Sequence, residues 1–350
     1  MTFRTTVSLD VAQGWRVCEP DRLRYLNQAM VLAMLIISMR ALSRTFSSQI
    51  PQRERRSSQT VTTPTRTQLL LDAADLTLSL RGCGWNWSAG MKVPKPTRPS
   101  TPTSAFIFLA LVSIVTHIFI FDSMHLAIQL WAPTTIGSSE GGSIYDLSIR
   151  DPFTRYLRSS TITILVGLLI YGAIQIGHDA FSIIGVTILR QSPSQWPPIF
   201  ASPWSTSSLT DFWASRWHQV FRYDFISLGA KPFSLVAGRV GGVIGAFFVS
   251  GMLHYVAFWG MGNGTDIGVL LFFLMQAVGV VLEGFWRRVT GERVKGPLGW
   301  IWTAIWLVGW GPLMVEPWCL GGLLGSAFLP HAARPSVQIY KFATRILHSR

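Results

Sequence analysis

The chain has 350 residues, of which 49% are hydrophobic and 13% charged, and its mean hydropathy is +0.35. Soluble globular proteins carry about a quarter charged residues, so this balance excludes a disordered chain and a disulfide-stapled secreted module. The formal charge of +13 lies in blocks between apolar runs, which is typical of membrane proteins and does not predict nucleic-acid binding.

The N-terminal third of the sequence is mostly polar. Residues 1–27 lack an apolar stretch and contain three acidic residues, so they do not predict a signal peptide. The stretch from Arg40 to Ser104 carries ten Lys and Arg residues. Up to about residue 66 it is rich in Ser, Thr and Pro, which indicates a disordered linker. The pattern of Leu69–Leu80 predicts a short amphipathic helix on the membrane surface.

Apolar runs dominate the rest of the sequence. A helix that spans a bilayer needs about 20 mostly apolar residues. Five segments meet or approach this length: Ala105–Phe121, Thr161–Ile176, Phe233–Met261, Ile267–Trp286 and Leu298–Val315. Ala180–Leu189 is expected to extend the second of these past a polar break at His178–Asp179, and the weaker candidates are Tyr25–Met39 and Trp318–Leu329. We therefore predict an all-α, polytopic transmembrane bundle with about 5–8 spans.

The basic loops predict an orientation and three parts of the chain. Lys and Arg concentrate in cytosolic loops, so we place residues 40–104 in the cytosol and 122–160 in the lumen. The expected membrane is that of the endoplasmic reticulum. Asn263 begins a possible N-glycosylation sequon in a predicted lumenal turn. Residues 1–103 form an N-terminal segment with one possible span and a basic, partly disordered cytosolic loop. Residues 104–330 form the membrane core, and residues 331–350 a basic cytosolic tail.

Ionisable residues within or beside the apolar runs are candidates for function because they are costly to place in a membrane. They are His117, His178, Asp179, Arg239, His254 and Glu283. His254 lies well inside an apolar run, and a buried neutral imidazole is able to accept a proton from a hydroxyl as a general base. The alternative is a hydrogen-bonded histidine that serves packing.

A second cluster of polar and aromatic residues lies in the loop of residues 207–219. Asp211, Ser215 and His218 are three to four positions apart, so a helix would place them on one face. Trp213, Trp217 and Phe212 supply rings for a membrane-facing side. The alternative is an interfacial amphipathic helix with a snorkelling Arg216.

These residues carry a resemblance to a known family. The sequence DFWASRWHQVFR at Asp211–Arg222 resembles the FW-x-x-RWH signature of the membrane-bound O-acyltransferases, most closely their wax-synthase-like branch from fungi and plants. SGMLHY at Ser250–Tyr255 resembles the buried-histidine motif of that branch, and RGCGWNW at Arg81–Trp87 resembles a motif of its fungal members. The three motifs occur in the family's order, and the resemblance extends roughly from Arg81 to Glu316.

The sequence departs from the family pattern at two places. Tyr255 stands where many relatives have Glu, so no acidic partner is predicted beside His254. The N-terminal part has fewer apolar spans than typical relatives, and we interpret it as a truncated or mispredicted N-terminus.

The resemblance implies a tunnel-like active site that crosses the bundle, in which an acyl group passes from acyl-CoA to a hydroxyl. It implies that His254 is the general base and that His218 holds the thioester or stabilises charge on its carbonyl. Arg216, Arg222 and Lys231 are expected to contact the CoA phosphates. Other motif residues are Asp211, Trp213, Trp217 and Ser250.

The likeness to fungal members favours acetyl-CoA with a lipophilic acceptor, such as a terpenoid or meroterpenoid alcohol in a biosynthetic pathway. A wax-ester synthase that joins a fatty acyl-CoA to a long-chain alcohol is the alternative. A non-catalytic or transport membrane protein is a further alternative. The expected partners are the lipid bilayer, acyl-CoA as co-substrate and the lipophilic alcohol.

Other chemistries find no support in the sequence. Cys18, Cys83 and Cys319 are far apart and form no CxxC pair. His218 and His254 lack a third partner at a predictable spacing, so we expect no metal and no permanently bound cofactor. The sequence does not predict an oligomeric state.

Overall fold

The structure is a computed structural model that describes residues 9–10, 14–15, 23–47, 50–53, 65–79, 81–88, 93–262 and 264–348. The helices are α1 Arg24–Thr45, α2 Arg66–Leu78, α3 Thr103–Trp131, α4 Pro152–Thr187, α5 Leu209–Asp211, α6 Arg222–Phe225, α7 Lys231–Trp259, α8 Ile267–Thr290, α9 Gly296–Trp310, α10 Pro312–Leu320 and α11 Pro335–His348. Two π-helical turns are Phe212–Arg216 and Ile226–Ala230, and five 3₁₀ turns are Asn86–Ser88, Pro193–Gln195, Pro203–Ser205, Leu323–Gly325 and His331–Ala333. Two-residue strands, β1 Leu9–Asp10 and β2 Gly14–Trp15, pair antiparallel.

Within the described part of the chain, six helical stretches are long and apolar enough to cross a membrane. They are Arg24–Thr45, Thr103–Trp131, Pro152–Thr187, Arg222–Trp259, Ile267–Thr290 and Gly296–Leu320. The predicted all-α polytopic bundle is therefore confirmed, and the number of stretches falls within the predicted range. The predicted linker lies partly at residues 54–64, outside the described residues.

The predicted break at His178–Asp179 is wrong, because both side chains find hydrogen-bonding partners without leaving the helix. α4 continues from Pro152 to Thr187, so the expected extension of the Thr161–Ile176 span beyond Asp179 is present. The predicted 318–329 span is not a separate helix, since α10 ends at Leu320 and continues the crossing begun by α9. The predicted surface helix is present as α2, whose first turn is capped reciprocally by Thr65 and Gln68.

The apolar run predicted at Phe233–Met261 is divided by a sharp reversal. Ala237 and Gly238 have non-helical backbone angles, and Gly238 has a φ of +55°, a value that favours glycine. Gly229 packs against Gly245, and the rings of Phe233 and Phe248 are 5.9 Å apart. Residues 222–236 and 239–259 are therefore two antiparallel limbs of a helical hairpin, and only the second limb has the length of a crossing.

The contacts of the loops define two ends of the bundle. Arg24, at the start of α1, donates to the carbonyls of Ser139 (3.0 Å) and Gly321 (2.8 Å), which defines the 132–151 end. Ser43, near the close of α1, donates to Asp224 at 2.8 Å and belongs to the opposite, 46–102 end. Because Gly260 packs on Val31 of α1, the second limb runs toward the 132–151 end and the hairpin turn lies toward the 46–102 end.

The C-terminal tail lies at the 132–151 end. Arg334 donates to Asp122 (2.6 Å) and Gln129 (2.8 Å), and Ser336 donates its backbone N–H to Asp122 (2.9 Å). Both residues lie in the second half of α3, toward residue 131. The prediction that the tail shares a side with the 40–104 loop therefore does not hold for the tail residues that the structure describes, because a buried ion pair fixes them at the other end.

Candidate active site

The interior of the bundle holds a cavity of about 900 Å³. Its walls come from α4, α7, α8, α9 and α10, and from residues 203–226. Its lining is mainly aromatic and aliphatic, with rings from Tyr171, Trp204, Phe212, Trp213, Trp217, Phe221, Phe225, Phe247, Phe272, Phe273, Trp300 and Trp318. The charged side chains among the described lining residues are Arg222, Lys231 and Arg239, so the lining carries positive charge without an acidic residue. Such a cavity suits a ligand with an apolar body and an anionic group.

His254 lies on the second limb of the hairpin and lines this cavity. Its Nδ1 is 2.8 Å from the carbonyl oxygen of Ser250, one helical turn earlier. A carbonyl only accepts hydrogen bonds, so Nδ1 carries the hydrogen and Nε2 carries the lone pair in the neutral ring. The ring of Phe273 lies 4.4 Å away, centroid to centroid. His254 is thus held in the tautomer that presents a base at Nε2.

His218 lines the same cavity and lies among aromatic rings. Its ring centroid is 5.7 Å from Trp217, 6.0 Å from Phe221 and 6.2 Å from Phe200. Its Nδ1 is buried without a hydrogen-bonding partner among the described residues. Burial, followed by the charges of His254 and Arg81, lowers the pKa of His218 to about 3. His218 is therefore neutral at physiological pH and has a ring nitrogen left for a ligand.

The residues before His218 form an irregular helical turn. Ser208 caps its start by accepting from the backbone N–H of Asp211 at 2.9 Å. Asp211 then accepts from Ser215 at 2.8 Å and forms an ion pair with Arg216. Burial opposes ionisation of Asp211, but the hydrogen bonds from Arg216 and Ser215 outweigh it and lower the pKa. Asp211 and Ser215 thus share a face as predicted, whereas His218 does not, because the helix ends at the extended backbone of Trp217.

The predicted site residues divide into two groups. His218, His254, Trp213, Trp217, Ser250, Arg222 and Lys231 all line the cavity. Asp211 and Arg216 do not line it, and Arg216 instead donates to the carbonyls of Ala201 (3.2 Å) and Ser202 (3.3 Å). Tyr255 packs against the apolar core, and Asn263 lies outside the described residues.

Sequence reasoning gave no role to one cavity residue. Arg239 follows the hairpin turn directly and lines the cavity with Lys231 from the other limb. The sequence feature that could have identified it is its place within an apolar run, because burying an arginine in a membrane is costly and such residues usually have a function. The hairpin that brings the two cations to one cavity was not readable from the run itself.

A smaller polar cavity, of about 230 Å³, lies beside α4. Asp179 accepts from Arg98 (2.7 Å) and Gln175 (2.9 Å), and His178 bonds to both Arg81 (3.0 Å) and Asp179 (3.4 Å). Arg81 also donates to the carbonyls of Pro197 and Pro198. His178 and Asp179, two of the ionisable candidates for function, therefore belong to a separate network that ties Arg81 and Arg98 to α4 and to the loop before Phe200.

Comparison with known proteins finds a family that is similar to the segment carrying the two histidines. The sequence model of the "Membrane bound O-acyl transferase family" matches residues 196–275. Both histidine motifs lie in this range, so the match agrees with the resemblance that they carry. Together with the six long apolar helical stretches of the described residues, it supports an integral, multi-pass membrane protein.

Several fungal proteins are similar to the chain. It is 28% identical to acetyltransferase spyB of Aspergillus fumigatus over 39% of this chain and 28% of that protein. It is 26% identical to acetyltransferase atnC of an Arthrinium species, over 71% of this chain and 61% of that protein. It is 28% identical to acetyltransferase TRI7 of Fusarium sporotrichioides, over 42% and 38%. The chain thus spans less than two thirds of each of these relatives, and no solved structure matches it at a significant level.

Proposed function

We propose that this relative of the fungal acetyltransferases is an acyl-CoA-dependent O-acyltransferase that acylates a hydroxyl of a lipophilic acceptor. The observation that carries the proposal is the tautomer of His254. Its Nδ1 hydrogen is committed to Ser250, so Nε2 presents a base inside an apolar cavity that also contains His218. The named activity of the relatives supports acetyl as the acyl group.

In the proposed reaction, the acceptor oxygen attacks the thioester carbonyl while its proton passes to Nε2 of His254. The C–O bond of the ester forms and the C–S bond breaks. The CoA thiolate then takes the proton from His254, which restores the neutral ring. His218 lies beside the reacting carbonyl and stabilises the charge that develops on its oxygen. The apolar walls exclude water, which would otherwise compete for the acyl group.

The cations of the cavity are proposed to hold the phosphates of CoA. Arg222 is fixed by the carbonyl of Ala214 (3.2 Å) and the side-chain oxygen of Gln219 (3.1 Å), and Lys231 lies further toward the hairpin turn. The turn points to the 46–102 end, which we propose faces the cytosol and its CoA pool, in a membrane of the endoplasmic reticulum. We propose that the acceptor enters from the lipid side of the core, residues 104–330.

The apolar, aromatic lining favours a polycyclic acceptor, such as a terpenoid or meroterpenoid, since a rigid apolar ring system buries a large area against aromatic side chains at little cost in conformational entropy. Microsomes that contain the full chain test this directly. They receive labelled acetyl-CoA or a labelled long-chain acyl-CoA, with terpenoid or long-chain alcohols as acceptors.

We expect ester formation with acetyl-CoA and a polycyclic alcohol. Product from the fatty pair alone would instead indicate a wax-ester synthase. If neither pair gives a product that depends on His254, the acyltransferase proposal fails, provided that the protein is present in the membranes at normal abundance.

A further inference from the structure

A buried carboxylate on α8 contacts the start of the segment that carries His218. Glu283 is 7% exposed, and its side chain accepts three hydrogen bonds. They come from the backbone N–H of Leu209 (2.7 Å), the backbone N–H of Thr210 (2.9 Å) and the indole of Trp302 (3.0 Å). Both carboxylate oxygens are engaged.

The chemistry of the three donors suits a carboxylate and no neutral side chain of similar shape. All three partners are N–H groups, and a carboxylate offers only acceptor oxygens. The first N–H groups of a helical turn have no partner within the helix, so an acceptor from elsewhere must satisfy them. A Gln in this place would turn an amide N–H₂ toward one of the donors and leave it buried and unpaired.

Further residues on the same face of α8 hold the next part of the segment. Gln276, seven positions before Glu283, accepts from the indole of Trp213 at 3.3 Å. Gly279 lies between them and packs on the Leu209 side chain, where any larger residue would collide. Positions 276, 279 and 283 recur at helical spacing, so α8 presents one continuous face to residues 209–213.

Most other polar contacts of the segment are local, such as the Asp211–Arg216 ion pair and the hydrogen bonds from Gln219 to the carbonyls of Trp213 and Trp217, so they shape the turn without tying it to α8. The helix ends at Trp217, and the Nδ1 of His218 finds no partner among the described residues. The position of the His218 ring in the cavity therefore depends on where the preceding turn is anchored. We infer that Glu283 is a positioning residue that fixes His218 against the cavity through Leu209 and Thr210, an inference that rests on the proposed function for its catalytic consequence.

The test compares Glu283→Gln with Glu292→Gln in the full chain. Glu292 is exposed and pairs with Lys295, so the second variant makes the same chemical change without touching the segment. We expect kcat to fall roughly 10- to 100-fold in Glu283→Gln, with the KM for acyl-CoA within about twofold of wild type. Glu283→Asp, which keeps two acceptor oxygens, should recover part of kcat, and Glu292→Gln should behave as wild type.

A second readout does not depend on catalysis. Ala214 lines the cavity within the anchored segment, and Ala214→Cys is placed in a chain whose three native cysteines are replaced by alanine. Loss of the anchor should raise the rate at which a methanethiosulfonate reagent modifies the new thiol by about threefold or more. Trp302→Phe, which leaves both backbone hydrogen bonds to Glu283 in place, should change this rate less.

The outcomes are distinct. A Glu283→Gln chain with wild-type kcat and a wild-type labelling rate overturns the inference. Loss of folded protein in both Glu283→Gln and Glu283→Asp also overturns it, because the residue then serves stability. A faster labelling rate in a protein whose wild type forms no ester supports the positioning role and contradicts the proposed function alone.

Discussion

Two groups of histidines lie inside the bundle, and they differ in what their ring nitrogens contact. His178 accepts from Arg81 at Nε2 and donates to Asp179 at Nδ1, so the protein itself occupies both nitrogens. His254 has only Nδ1 engaged, and the Nδ1 of His218 has no partner among the described residues. In the sequence, all three are simply histidines within or beside apolar runs. The difference teaches that, among these three residues, the two that line the large cavity keep a ring nitrogen available to a ligand, whereas protein groups occupy both nitrogens of His178.

The largest effect is expected at His254. Replacement by alanine removes the proposed base and should lower kcat by roughly 10²–10⁴-fold. Ester formation in microsomes, normalised to the amount of protein in the membrane, measures this. His331→Ala is the matched control, because His331 is exposed and distant from the cavity. Full activity in His254→Ala would show that His254 is not the base, and the two groups of histidines would then not differ in this function.

Mutation of the hydrogen-bond network around His178 and Asp179 should lower the stability of the protein rather than its catalytic rate. Asp179→Asn removes the charge of a buried carboxylate whose partner Arg98 is partly exposed, and removal of one partner of a buried pair costs up to about 3–5 kcal/mol of unfolding free energy. We expect a lower unfolding temperature in detergent, while activity per folded molecule stays within about twofold of wild type. Asp146→Asn, in an exposed loop, is the control. A selective loss of kcat at normal stability would place this network in the reaction.

His218 provides an intermediate case with a prediction about pH. Since burial lowers its pKa to about 3, the ring stays neutral between about pH 5 and pH 9. His218→Asn should therefore lower kcat by about 10²-fold across this range without moving the acid limb of the pH–rate profile. A profile whose acid limb shifts in the variant would mean that His218 itself titrates during turnover.

The smallest effect is expected at the cationic part of the cavity. Lys231→Ala should raise the KM for acyl-CoA by roughly 5- to 10-fold, with little change in kcat, because a charge-assisted contact to phosphate is lost. Lys341→Ala, on the exposed tail helix, controls for the loss of one positive charge. An unchanged KM in Lys231→Ala would show that Lys231 does not contribute to the binding of acyl-CoA.

Much of the bundle was predictable because long apolar runs leave few alternatives to membrane helices. The two histidine motifs also identified the residues that meet in the cavity. What the sequence concealed depends on contacts between distant residues. Asp179 reads as a helix break until Arg98 is placed beside it, and Arg216 reads as a phosphate ligand until its ion pair with Asp211 is seen.

The hairpin was concealed for a different reason. Hydropathy gives the length of an apolar run but does not show whether the helix reverses direction within it. The reversal at Ala237–Gly238 was therefore not visible in the sequence. Glu283 appeared only as an isolated acid in an apolar run, since its partners lie about seventy residues earlier in the chain and their donor groups are backbone N–H.

The reversal at Gly238 also determines whether the described chain crosses the bilayer an even or an odd number of times. If residues 222–236 crossed as well, the count of traverses would rise from six to seven, and everything after Trp259 would change compartment. With the limb folded back, the count is even, and the chain emerges after Leu320 on the side from which α1 enters, where Arg24 binds the carbonyl of Gly321. The backbone conformation at Ala237–Gly238 thus decides on which side of the bundle the described residues after Leu320 lie.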